Sequence, residues 1–148
     1  MKFRIVTDSS SNVLSLPHED YGCVPMKIVA GREYVDAPGL NIAQMVEDLK
    51  GYKGKTGSSC PNVGEWLEAF GDAKYVFGIT ITKHLSGSYN AARQAAQTYM
   101  EEHPDRRVYL FDSLSAGPES MMIADKIRQC EAAGDDFDTT IAKVLDYH

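Results

Sequence analysis

Apolar positions along the chain fall into two periods that replace one another from end to end. Residues 3–8, FRIVTD, form a short β-branched run that stops at a Ser-rich polar turn. VPMKIV (24–29) predicts a second strand, extended by EYVDA (33–37) after the Gly31-Arg32 turn. KYVFGITIT (74–82) and RVYLFD (107–112) predict two more, both nearly unbroken in apolar character. Runs without alternation suit strands covered on both faces, as in a parallel sheet.

Between these runs the apolar spacing changes to that of a helix. Asn41 with Gln44 three residues on has the form of a capping box, and Ile42, Met45, Val46 and Leu49 then share one face. Asn62 with Glu65 repeats the pattern ahead of Val63, Trp66, Leu67 and Phe70, where Trp66 and Phe70 read as core. A third helix is expected from about Ser86 to Glu101, with Ala91, Ala92, Ala95, Tyr99 and Met100 towards one side. Residues 118–133, stopping at Gly134, and 137–147 predict two more. Strand and helix in alternation imply an α/β fold. The expected form is a three-layer sandwich with a mostly parallel central sheet, helices on both faces and right-handed crossovers. No internal repeat or low-complexity linker divides it, so residues 1–148 read as a single domain. The last helical pattern reaches His148 without a stop signal, as expected of a piece of a longer protein.

Composition narrows the function classes. A net charge of -6 with scattered basic residues argues against nucleic acid, which requires a basic stripe to follow phosphates. Cys23, Cys60 and Cys130 are odd in number and lack C-x-x-C spacing, which points away from disulfides and zinc and towards a reducing compartment. MKFRIVTDSSS turns polar too early for a secretory leader, and no apolar run approaches the roughly 20 residues of a membrane span. The expected location is the cytoplasm.

Ligands of open α/β sheets collect beyond the carboxyl ends of the strands. Those ends are TDSSSN (7–12), TKHLSGS (82–88) and DSLSAG (112–117), joined by the hydroxyl-rich loop KTGSSCPN (55–62). Such an edge offers serine hydroxyls and helix N-terminal amides to an anion. Ser86 is open to three readings: nucleophile, helix cap, or part of an anion cradle. A nucleophile needs a base, and of His18, His84, His103 and His148 only His84 is near in sequence; no G-x-S-x-G elbow is present. Ser58 and Ser59 precede a helix in a turn that does not match a phosphate-binding Walker loop. Cys60 there reads as a small loop residue. Asp8 and Asp112 each end a strand; without a third partner they read as turn caps, and no metal site is expected.

Taken together, IVTDSSSN, VPMKIVAGREYVD, TGSSCPNVGEW, ITKHLSGSYNAARQAA and VYLFDSLSAG resemble the DegV family of bacterial fatty-acid-binding proteins, in order and spacing across nearly the whole chain. The resemblance implies a lipid-binding protein without chemistry or cofactor of its own. Its ligand is one long-chain fatty acid, held between two domains and presented to a separate fatty acid kinase. By resemblance, Ser58 and Ser59 of the Thr-Ser-Gln-Pro segment, with Ser86 and Gly87 of Leu-Ser-Gly-Thr-Tyr, meet the carboxylate. Here Ser58 stands for Thr, Cys60 for Gln and Ser88 for Thr, so the hydroxyls survive. Family members run to about twice this length, so the chain matches their N-terminal domain, and the C-terminal lipid-tunnel domain is absent from it. The interdomain face is then exposed and a candidate for self-association. Two other classes compete with this reading. One is a small serine hydrolase using Ser86 with His84. The other is a sugar-uptake phosphotransfer domain, which requires a histidine where this chain has Asp8-Ser9.

Overall fold

The computed structural model describes residues 2–17 and 20–148. Its centre is a four-stranded parallel sheet built from β1 (Arg4–Asp8), β2 (Tyr21–Val24), β6 (Tyr75–Thr80) and β7 (Arg107–Asp112) in the order β2-β1-β6-β7. A second sheet of three short antiparallel strands, ordered β4-β3-β5, comprises β3 (Lys27–Val29), β4 (Glu33–Val35) and β5 (Gly57–Ser59). The helices are α1 (Ile42–Gly51), α2 (Val63–Phe70), α3 (Ser88–Glu102), α4 (Glu119–Ala132) and α5 (Phe137–Tyr147).

Strand alternation divides the core into two layers. Ile5, Phe77, Ile79 and Phe111 face α4 and α5, meeting Ile123, Ile127, Phe137 and Val144. Val6 and Val76 face α2 and α3, meeting Trp66, Phe70, Ala92, Ala95 and Tyr99. Helices on both faces of a parallel sheet make the expected three-layer α/β sandwich. The alanines let α3 lie close to the sheet, and Gly78 makes room on the same face. A β-carbon at Gly78 would meet Leu110 Cδ2 at 2.5 Å.

Several boundaries differ from expectation for local reasons. VPMKIV is not one strand: Val24 ends β2 in the parallel sheet, and Lys27 begins β3 in the small one. Pro25 lies at the transfer, where its missing N–H cannot continue a ladder. GSS, expected as loop, is the edge strand β5, with Ser58 opposite Ile28 and Ser59 opposite Lys27. The Asn41 and Asn62 caps form, accepting from Gln44 N at 3.0 Å and Glu65 N at 2.8 Å. Their return bonds do not form, because the Gln44 amide donates to Asp48 and Glu65 accepts from Lys27. The apolar face of α1 stays outside the core: Met45 and Leu49 are half-buried, and Ile42 is 63% exposed. No helix among the described residues is long and apolar enough to cross a membrane.

Candidate functional site

The carboxyl ends of β1, β6 and β7 are polar, and much of that polarity lies beneath exposed loops. Asp8, Ser9, Thr80, Ser88 and Ser113 are all buried there. Asp8 is the hub. Its Oδ2 accepts from the Ile81 amide at 2.8 Å and from the Ser88 hydroxyl at 2.8 Å. Its Oδ1 accepts from the Ser10 amide at 3.3 Å and, more closely, from the Ser10 hydroxyl. One carboxylate thus ties the turn after β1 to the loop after β6 and to the first residue of α3. On the next segment Ser9 Oγ accepts from the Met26 amide at 2.9 Å, fixing the passage into the small sheet.

The loops after β6 and β7 are joined by Thr82 N donating to Ser115 O at 2.9 Å. Asp112 caps its own turn, with Oδ1 accepting from Leu114 N at 3.0 Å, and Leu114 takes a left-handed φ of 57°. Ser115 donates to Glu119, and this holds the Glu119 carboxyl below the usual carboxylate range. The turn-capping reading therefore describes both Asp8 and Asp112. Among the described residues no cluster of three His, Cys, Asp or Glu is placed to hold a metal.

Beside this edge lies a hollow of about 330 Å³ between the turns after β1 and β7, the small sheet and the start of α1. Ser9, Ser10 and Ser58 bring hydroxyls to it, and Ile28, Leu40, Ile42 and Met45 bring aliphatic walls. Tyr34, also in its lining, donates to Asp48 of α1 at 2.9 Å. With Gln44 and Tyr34 both donating to it, Asp48 is held below its ordinary range. Alternation along β5 points Ser58 and Ser59 to opposite faces; Ser58 lines the hollow and Ser59 does not, although Lys27, opposite Ser59, borders it too. The two serines therefore do not converge through their side chains.

Ser86 is half-buried and is not the N-cap residue of α3. That position is Gly87, and no side chain caps the helix there. Instead the Ser86 hydroxyl accepts from the Ser88 amide at 3.2 Å. Gly87 faces Cys60: a β-carbon on it would lie 3.3 Å from the sulfur, so the SSCP and LSGS segments meet at these two residues. Ser88 points inward to Asp8, so either serine or threonine would serve there as a structural donor.

No histidine is hydrogen-bonded to Ser86 among the described residues. His84 is exposed, with its amide donating to Thr82 Oγ1 at 3.4 Å. His103 and His148 sit at the C-terminal ends of α3 and α5, and His18 lies outside the described residues. The sequence reading missed the hub role of Asp8 and the contribution of Ser9, Ser10 and Tyr34 to the hollow. TDSSSN did mark the first three as strand-end polar residues, but nothing marked Tyr34.

Comparison with known proteins gives a consistent neighbourhood. The family described as "Uncharacterised protein, DegV family" matches residues 2–148. A DegV domain-containing protein of Streptococcus pneumoniae strain R6 is 35% identical over 99% of this chain and 54% of its own length. A DegV family protein from Eubacterium eligens, loaded with heptadecanoic acid, superposes with a TM-score of 0.94 at 35% identity, covering 99% of this chain and 53% of that one. The Fatty Acid Kinase (Fak) B3 protein of Streptococcus pneumoniae, loaded with linoleic acid, gives 0.92 at 35% identity over 99% and 54%. The chain spans about half the length of the curated relatives it matches.

Proposed function

The chain belongs to the DegV family, and from that premise we propose that it binds the carboxylate end of a long-chain fatty acid and presents it to a fatty acid kinase. The observation that carries the reading is the hollow in which serine hydroxyls and aliphatic side chains line one space. A carboxylate needs donors, and its alkyl stem needs apolar cover. Ser58, which lines the hollow, is the first proposed hydroxyl contact. Ser86 and Gly87 lie outside that lining and join the proposed site where Gly87 faces Cys60 of the SSCP segment, with Ser59 the lesser contact. Relatives bearing heptadecanoic and linoleic acids support the ligand class, and the kinase name of one supports the partner.

Each buried CH₂ contributes about 0.8 kcal/mol, so affinity depends on how much of the acyl chain is covered. Ile42, Leu85 and Leu114 are 63%, 71% and 64% exposed. In this reading they form the surface against which a further domain or a second copy completes the tunnel. Native mass spectrometry of the purified chain, followed by lipid extraction, tests the proposal. A bound fatty acid that is lost in Ser86→Ala, with thermal stability retained, is the expected result. Equal loading of that variant would remove Ser86 from the head-group site.

A further inference from the structure

We infer that Asp8 is a positioning residue for the head-group site, holding the Ser86–Gly87 turn in register through Ser88 and Ile81. The inference rests on the carrier reading above and assigns a role to a residue that does not itself meet the ligand.

A carboxylate offers about four acceptor sites. Those of Asp8 receive four donors: the amide and hydroxyl of Ser10, the Ile81 amide and the Ser88 hydroxyl. Asp8 is fully buried, and so is Ser88. The two bonds at Oδ2 bracket residues 81–88, the loop that carries Ser86 and Gly87. They are fixed points on either side of a segment whose own residues are exposed or half-buried from Lys83 to Gly87.

The charge of Asp8 matters as well as its shape. Hydrogen bonds to an ionised acceptor are roughly twice as strong as neutral ones. Asparagine would keep one acceptor oxygen and turn its N–H₂ group towards either the Ser10 or the Ile81 amide, neither of which can accept it, while the serine hydroxyls could rotate to do so. Gly87 at the N-cap position has no side chain, and of the first-turn amides of α3 the Ser86 hydroxyl accepts from Ser88 N. The Ser88–Asp8 bond is the buried, long-range tether of α3's first turn, and the Ser86–Ser88 bond is local to it. A shift of that turn would move Ser86 and Gly87 while leaving the aliphatic walls of the hollow in place.

The separation of head group from walls supplies the test. Octanoate and the neutral 1-octanol share a chain and differ at the head. Both are titrated against the 148-residue chain by amide chemical shifts, with thermal midpoints measured in parallel. The parent should prefer octanoate. Asp8→Asn and Ser88→Ala should weaken octanoate about tenfold and change octanol less than twofold, while Ser88→Thr should restore the parent ratio. An unchanged octanoate-to-octanol ratio in Ser88→Ala, or a parallel loss of both ligands, would overturn the inference. If Asp8→Asn does not fold, the Ser88→Ala and Ser88→Thr pair decides. A parent chain that binds octanol without preferring octanoate would overturn the head-group site of the carrier reading and this inference with it.

Discussion

Gly87 and Cys60 touch across two loops distant in sequence: an ideal β-carbon on the glycine would stand 3.3 Å from the cysteine sulfur. The Gly87 φ of -75° is open to any residue, so only space argues for glycine. Gly87→Ala should therefore change stability by less than about 1 kcal/mol, yet push the SSCP segment away and weaken octanoate binding several-fold. Cys60→Ala in the same chain should recover the loss. A double-mutant cycle on affinity checks this, and additive effects would sink it.

Ser58 and Ser59 should separate in the same assay. Ser58 shares the face of Ile28 and borders the hollow, whereas Ser59 stands opposite Lys27 on the other face. A hydrogen bond to a charged acceptor contributes about 1.5–3 kcal/mol. Ser58→Ala is expected to weaken octanoate more than about tenfold on that basis, and Ser59→Ala less than twofold. Equal losses would mean that strand alternation does not govern the site.

Gly78 leaves the space that the Leu110 side chain fills. Alanine there would bring its β-carbon 2.5 Å from Leu110 Cδ2 and 4.0 Å from the Trp66 ring. Overpacking of this kind costs about 1–3 kcal/mol. Urea unfolding of Gly78→Ala should show that loss, and Leu110→Val should relieve part of it. A stability equal to the parent's would indicate that Leu110 moves aside freely.

Burial pushes the Cys23 thiol up from 9.0 to about 11. The folded state holds this proton more tightly than the unfolded chain, so the contribution is complete below pH 9. It is lost as pH rises towards about 11. Unfolding free energy should fall across that window, and Cys23→Val should flatten the slope. An identical alkaline slope in the variant would assign the loss to other groups.

The architecture was legible because β1 and β6 are buried on both faces and, with the half-buried edge strand β7, carry nearly continuous apolar runs. α2 and α5 were legible from their apolar period, the first with its Asn62 cap. β2 was hidden: Tyr21-Gly22-Cys23-Val24 has little strand character, and Val24 to Val29 looks continuous unless Pro25 is given weight. β5 escaped because Gly57-Ser58-Ser59 has no strand propensity and is a strand only through pairing with β3. The candidate site was legible as a collection of hydroxyl-rich strand ends. Which hydroxyl points to the ligand and which to Asp8 depends on long-range contacts. The Ser88–Asp8 bond joins residues 80 positions apart, beyond the reach of local spacing.

β1 is the first strand in the chain and an interior strand of the sheet, with Arg4 opposite Val76 and Ile5 opposite Tyr21. It precedes its second neighbour by about 70 residues and gains it only after residues 75–80 have followed. Parallel pairing across so long a loop is slow, because the closure entropy precedes the reward. The β1–β2 pair must meanwhile wait with one edge open. Asp8 receives the Ile81 and Ser88 donors only after that edge closes. The polar edge at Asp8 therefore cannot take shape before residues 75–88 have joined the sheet.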